Sequence, residues 1–232
     1  DIALVTNALI FYRCIPKLKE AFPDLKVLDI LHLERVGGAM DQFLYVSPLI
    51  DQRVCISRHL KDYISGKYAA LFPGQHLDER MDVIYNGTDM DHFNDQKTFS
   101  GKFRQQYNIP PDATVVSFIG RFAREKKPLV FLEIAKRLLQ EAPEINWRFV
   151  MAGNGPYFNM VKDRIAEYSL ENVCILTGVL ADVRELLRET YLLVLMSNHE
   201  GIPLVIQEAF AMSVPVISTN VGAIRELIKS GA

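Results

Sequence analysis

The chain has 232 residues and a mass of 26.4 kDa, with 26 Lys and Arg against 28 Asp and Glu, a formal net charge of −2. That balance leaves no electrostatic footprint for nucleic acid, so no nucleic-acid partner is expected. With 49% apolar and 23% charged residues the composition is that of a globular protein, and no apolar run approaches the ~20 residues of a membrane span, so no transmembrane segment is expected.

Short apolar runs alternate with helical patterns, the signature of βα units and parallel sheets. In the first half, strands are expected at residues 2–5, 27–31, 53–56 and 83–85, with helices near 11–21, 39–49 and 60–67. Asn86-Gly-Thr-Asp and Ile109-Pro-Pro-Asp112 are strong turn punctuation, and they put the domain boundary between Phe93 and Ala113. In the second half, strands are expected at 114–119, 147–152, 173–177, 192–196 and 215–218. Helices are expected at 128–142, 157–169, 183–189, 203–212 and 223–229. These strands read as continuous Val/Ile/Leu runs, as buried parallel strands do. The fold class expected is α/β, with two Rossmann-like doubly wound parallel-sheet domains. Residues 1–95 form a first, partial domain, 96–112 a linker and 113–232 the second domain.

Cys14, Cys55 and Cys174 are widely spaced and odd in number, and are read as small buried hydrophobes rather than as a disulfide framework or zinc cluster. His59, His76, His92 and His199 have no partner at ligand spacing and are read as surface or turn residues.

Doubly wound sheets bind ligands outside the carboxyl ends of their strands, so the loops there are the places to search. After residue 119 comes Gly120-Arg-Phe-Ala-Arg-Glu-Lys-Lys-Pro128. Gly120 lets a backbone approach a ligand closely, Arg121 offers a planar fork to phosphate oxygens, and Lys126 offers a mobile point charge. Taken alone, the loop also fits a solvated basic turn. Ala152-Gly-Asn-Gly-Pro156 has two glycines at a strand-to-helix junction, but it lacks the third glycine of a dinucleotide fingerprint and reads better as a packing turn. Ser197-Asn-His-Glu-Gly-Ile-Pro-Leu204 is the most informative stretch. Pro203 suits a first helical turn, which would point the amides of Gly201 to Leu204 outward toward an anion. Glu200 would lie just before that terminus and Glu208 about one and a half turns inside, both facing the cleft because eight residues are close to two helical turns, roughly 12 Å along the axis. That is too far for a glycosidase pair at ~5–5.5 Å. It suits an elongated ligand with hydroxyls at both ends and phosphates between, such as a nucleoside diphosphate sugar.

In order, these residues resemble the carboxyl-terminal domain of the family 4 retaining glycosyltransferases, enzymes of the GT-B fold. The match runs from Gly120-Arg121 and Glu125-Lys126 through Gly153-Asn-Gly-Pro156 to Glu200-Gly-Ile-Pro, Glu208-Ala, Pro215-Val, Val221-Gly222 and Glu226-Leu-Ile228. The resemblance implies that Arg121 and Lys126 bind the donor diphosphate beside Gly120, that Glu208 holds the ribose diol, and that Val183 lies near the base. It implies that Glu200, with the amides of Gly201, Ile202 and Leu204, positions the donor sugar, and that His32 reaches that sugar from the other domain. Glu200 and His32 are thus the expected catalytic residues. Ser213 stands where the family usually has glycine, and Ala223 replaces the second of a usual glycine pair. The family's acceptor loop is expected to precede Asp1, and its last strand and crossing helix to follow Ala232.

The implied reaction moves a hexose from a nucleoside diphosphate sugar to an acceptor hydroxyl with retention of configuration, by a front-face route. No metal and no cofactor are expected, and Asp89-Met-Asp91 is read as part of the interdomain segment rather than as a manganese motif. The acceptor is left open. The expected location is cytoplasmic, with membrane-peripheral attachment left open. Two rivals remain: an epimerase or hydrolase of the same fold, and an inactive nucleotide-sugar-binding module.

Overall fold

The computed structural model describes residues 1–6, 9–32, 44–93 and 101–228. Residues 39–43 of the helix expected at 39–49 lie outside that set. So does Lys229, the expected end of the last helix.

Two compact units are present. The first comprises Asp1–Asn86 together with Glu200–Ile202 and Gly222–Ala232, and the second comprises Gly87–His199 and Pro203–Val221. The chain therefore enters the first unit three separate times, although nothing in the local pattern around Glu200 or Gly222 announces a crossing.

The first unit holds a four-stranded parallel sheet, β1 (Ile2–Thr6), β2 (Lys26–Leu31), β3 (Gln52–Cys55) and β4 (Met81–Val83), in sequential order. Helices α1 (Leu9–Ala21) and α2 (Arg58–Leu71) connect them. Tyr12 and Ile15 are fully buried on α1, and Leu60 and Ile64 on α2 face the same core with Val27, Leu31 and Cys55. Cys14 is exposed, contrary to the sequence reading, because the inward positions of α1 are 12 and 15 and residue 14 falls between them. The fourth strand lies two residues earlier than expected, since Ile84 and Tyr85 are apolar by type yet exposed.

The second unit holds a five-stranded parallel sheet of β5 (Thr114–Ile119), β6 (Trp147–Ala152), β7 (Cys174–Gly178), β8 (Thr190–Leu195) and β9 (Val216–Ser218), ordered β7-β6-β5-β8-β9. Its α/β class and parallel pairing are those the sequence predicts. Along β5 the side chains alternate between faces. Val116 and Phe118 join one core with Phe131 and Phe149, while Val115 and Ile119 join another with Leu186, Leu193 and Ala209. Period-two alternation into two apolar layers is what a sheet covered on both faces requires. In the first layer Phe118, Phe122, Phe131 and Phe149 make ring contacts at 5.7, 5.8 and 6.3 Å. Each such fully buried ring contributes about 1.5–3 kcal/mol by removal from water.

Residues 101–112, expected as linker, carry the short helix Lys102–Gln106, and Phe103 and Ile109 are buried in the second unit's core. Arg104 ties this segment down by an ion pair to the buried Glu189. The helix expected at 203–212 spans Leu204–Ala211, with Pro203 as its extended N-cap. Glu200 lies before that helix, as expected, and Glu208 lies within it. A proline's fixed φ and missing N–H place it at the helix start, and the preceding residues are steered away from helical geometry.

Candidate functional site

In the second unit the strand order reverses between β5 and β8, and the carboxyl ends of the strands carry three loops stitched together by main-chain hydrogen bonds. The N–H of Gly120 donates to the Ala152 carbonyl at 2.9 Å, that of Phe122 to Asn154 at 2.9 Å, and that of Gly153 to Gly178 at 2.8 Å. Such closeness demands glycine. A Cβ on Gly153 would lie 1.9 Å from the Gly120 oxygen, and one on Gly155 would lie 2.5 Å from the Phe122 oxygen. The packing role read from Ala152-Gly-Asn-Gly-Pro156 is the one observed.

These loops frame a cleft of about 320 Å³ lined by Ile119, Gly120, Arg121, Gly153, Asn154, Leu180 and Val183, among others. Three expected site residues, Gly120, Arg121 and Val183, thus share one hollow at the ends of β5, β6 and β7. Asn154, Val179 and Leu180 were missed. In the loop after β7 only Val183 was expected; Val179, 74% exposed, and Leu180 carry no signal in residue type alone. Arg121 is exposed, so its guanidinium remains hydrated and available to an anion. Beside the cleft, Arg184 clamps Asp182 through both carboxylate oxygens at 2.6–3.0 Å and holds its pKa below the usual carboxylate range, which fixes the turn before Val183.

Lys126 ends a short 3₁₀ turn, Arg124–Lys126. The neighbouring Glu125 carbonyl accepts the Asn198 N–H, which joins the loops after β5 and β8. The Thr219 hydroxyl donates to the Ser197 carbonyl at 2.6 Å on the same side. Leu204 is exposed at the first turn of its helix. Glu208, one turn further on, is half-buried, and burial alone pushes its pKa up.

In the first unit a second group of expected residues comes together. Glu200 and Ile202 are buried, and Gly201 packs so tightly that a Cβ there would meet the His32 carbonyl oxygen at 2.5 Å and Ile56 Cδ1 at 3.3 Å. His32 itself follows the end of β2 and is exposed. The structure therefore assembles His32, Glu200, Gly201 and Ile202 in one unit, and Gly120, Arg121, Lys126, Val183, Leu204 and Glu208 in the other.

Of the remaining candidates, Asp89 Oδ1 accepts the His92 N–H at 3.0 Å at the start of a short helix. Among the described residues no group of three or more His, Cys, Asp or Glu could hold a metal ion. Burial pushes the Cys55 thiol up to about 11 and the Cys174 thiol up to about 12, so both are inert neutral thiols at neutral pH. A larger hollow of about 560 Å³ on the first unit, lined by Tyr68, Phe72, His76 and Asp78 among others, contains none of the expected residues.

Residues 99–232 match the family described as Glycosyl transferases group 1. The chain belongs to the group 1 glycosyl transferases. Among its curated relatives, the Vi polysaccharide biosynthesis protein VipC/TviE of Salmonella typhi is 29% identical over 195 residues, covering 82% of this chain and 32% of the relative. A relative whose name states its reaction, the UDP-Gal:alpha-D-GlcNAc-diphosphoundecaprenol alpha-1,3-galactosyltransferase of Escherichia coli, is 28% identical, covering 65% of this chain and 39% of that enzyme. The chain thus spans about a third to a half of the length of the relatives it matches. Among solved structures, Anabaena Alr3699/HepE in complex with UDP superposes with a TM-score of 0.80 at 19% identity, covering 98% of this chain and 62% of that one. The likeness establishes the fold, a GT-B glycosyltransferase arrangement of parallel α/β sheets. Among the described residues no helix is long and apolar enough to cross a membrane.

Proposed function

We propose that this chain carries the donor-handling part of a family 4 retaining glycosyltransferase, which moves a hexose from a nucleoside diphosphate sugar to an acceptor hydroxyl. The observation that supports this most is the cleft at the carboxyl ends of β5–β7, lined by Gly120, Arg121 and Val183, in a chain of the group 1 glycosyl transferase family. In this reading Arg121 and Lys126 hold the diphosphate. Their positive charge is aimed where negative charge accumulates as the sugar–phosphate bond breaks, the most effective place for electrostatic stabilisation. Val183, with Leu180, provides an apolar wall for the base, and the Glu208 carboxylate accepts from the ribose diol.

Glu200 and the main chain of Gly201 orient the sugar, with His32 beside them. Glu200 is not given the role of a nucleophile. Retention then follows a front-face course, in which the departing phosphate oxygen takes the acceptor's proton as the new bond forms on the same face. Residues 1–95 belong to the acceptor side in this reading, and the acceptor itself stays unassigned. Several solved relatives are complexes with UDP, and one contains UDP-glucose, which makes UDP the first nucleotide to test.

Titration calorimetry with UDP, GDP and ADP is the deciding experiment. One of the three should bind, and Arg121→Ala and Lys126→Ala should each weaken it by about 1.5–3 kcal/mol, the value of a hydrogen bond to a charged group. Absence of binding by all three nucleotides, or unchanged affinity in both variants, overturns the assignment.

A further inference from the structure

Glu226 belongs to the stretch that resembles the glycosyltransferase family, yet no step above uses it. Its carboxylate accepts three hydrogen bonds within the first unit: from the Arg58 N–H at 3.0 Å, the His59 N–H at 2.8 Å and the Tyr85 hydroxyl at 2.6 Å. Arg58 and His59 open the fourteen-residue helix α2, whose first amides have no partner within the helix and whose dipole presents its positive end there. Ser57 Oγ takes a third amide of that turn, the Leu60 N–H, at 3.1 Å. Burial works to raise the pKa of Glu226, but the bonds from Tyr85, His59 and Arg58 outweigh it and hold the group ionised below its usual range.

Glu226 lies on the short helix Ile224–Leu227. The two residues just before that helix touch the main chain of Glu200. The Ala223 N–H donates to the Glu200 carbonyl at 3.4 Å. Gly222, at φ +54°, sits so close that a Cβ would fall 1.8 Å from that same oxygen. Ala223 and Ile202 are buried in one core with Ile56 and Leu60. A continuous set of contacts thus runs from the α2 N-terminus through Glu226 and Ala223 to the backbone that presents Glu200.

We propose that Glu226 is a positioning residue for Glu200: by pinning the Ile224–Leu227 helix to the first turn of α2, it fixes Gly222 and Ala223 against the Glu200 carbonyl and so sets the main chain from which Glu200 and Gly201 act. The functional half of this proposal rests on the donor-site reading above.

The test uses Glu226→Ala, Glu226→Gln and Tyr85→Phe. Amide hydrogen exchange on the 232-residue chain should quicken at least tenfold at Arg58, His59 and Ala223 in Glu226→Ala. The effect should be smaller in Glu226→Gln, which keeps one acceptor oxygen, with no change in the helix Phe158–Glu167. UDP affinity by calorimetry should stay within twofold of wild type, because Arg121 and Lys126 are untouched. The rate of UDP release from UDP-glucose should fall tenfold or more, with partial recovery in the glutamine variant. Tyr85→Phe removes one bond of the three and serves should Glu226→Ala fail to fold. Unchanged exchange at Ala223 overturns the proposal. So does faster exchange with an unchanged rate, or a parallel loss of UDP affinity and rate. If UDP does not bind but GDP or ADP does, the same affinity and release measurements are made with that nucleotide and its sugar. A wild-type chain that binds none of the three removes the donor reading instead, and exchange at Ala223 still decides whether Glu226 fixes the Glu200 segment.

Discussion

The backbone N–H of Asn198 donates to the backbone carbonyl of Glu125 at 2.7 Å. One residue follows β8 and the other follows β5, the two strands between which the sheet reverses its order. The bond therefore closes the sheet's switch point and sets the turn that carries Lys126. It is made by main chain alone, across 73 residues, so no side-chain pattern could have revealed it.

Gly153 tests how much the cleft depends on backbone approach. Gly153→Ala would place a methyl group 1.9 Å from the Gly120 oxygen at φ +142°. The unfavourable backbone conformation alone costs about 1–3 kcal/mol, and the loops must also part. UDP affinity should fall at least tenfold by calorimetry. Gly178→Ala, at φ +71° with nothing within 4 Å, should cost only about 1 kcal/mol in a urea melt and leave binding nearly intact.

Glu208 makes a pH prediction whose sign can be worked out. Burial raises its pKa above the ordinary 4.5, so ionising it costs the folded state stability above that raised value, and the cost disappears in acid below the unfolded pKa. Glu208→Gln should therefore stabilise the fold at neutral pH, with the gain shrinking as pH falls toward 4.5. In the proposed donor site, ribose hydroxyls would donate to the ionised form. Wild-type UDP affinity should therefore drop in acid more steeply than that of Glu208→Gln, and the difference between the two titrations isolates this group from the phosphate's own protonation.

Ser213 occupies a left-handed conformation, φ 58°, just after the helix Leu204–Ala211, with its N–H bonded to the Phe210 carbonyl at 3.0 Å. Glycine is the residue favoured there. Ser213→Gly should stabilise the chain by about 0.5–1 kcal/mol, after allowing for glycine's greater freedom in the unfolded state, visible as a rise of about 2 °C in calorimetric melting.

Arg53 and Asp29 are both fully buried on neighbouring strands, paired at 2.7 Å, with Tyr12 donating to Asp29 at 2.6 Å and Arg53 donating to Tyr68 and Ser47. Arg53→Met leaves the Asp29 charge stranded and should cost about 3–5 kcal/mol in urea unfolding. Asp29→Leu combined with Arg53→Met should recover more than half of that loss.

β5 and β6 were legible because each is a largely apolar run buried on both faces, and both lie where the sequence placed them. Loop chemistry after β5 was legible from residue type, and Gly120, Arg121 and Val183 do share a hollow. Partners distant in the chain were not. No local pattern pairs Asp29 with Arg53, 24 residues apart, and Glu226 meets Arg58 and His59 across 168 and 167 residues. The helix start at Pro203, between Glu200 and Glu208, was legible from the proline itself.

The three visits the chain makes to its first unit bear on how the protein can be divided. A recombinant piece ending at Asn86 would lack Ile202, Ala223 and the Glu226 carboxylate, exposing apolar surface and uncapping the opening turn of Arg58–Leu71. Neither half can be excised as one uninterrupted stretch, and a chimera that exchanges one unit must carry residues 200–202 and 222–228 with the amino-terminal segment they pack against.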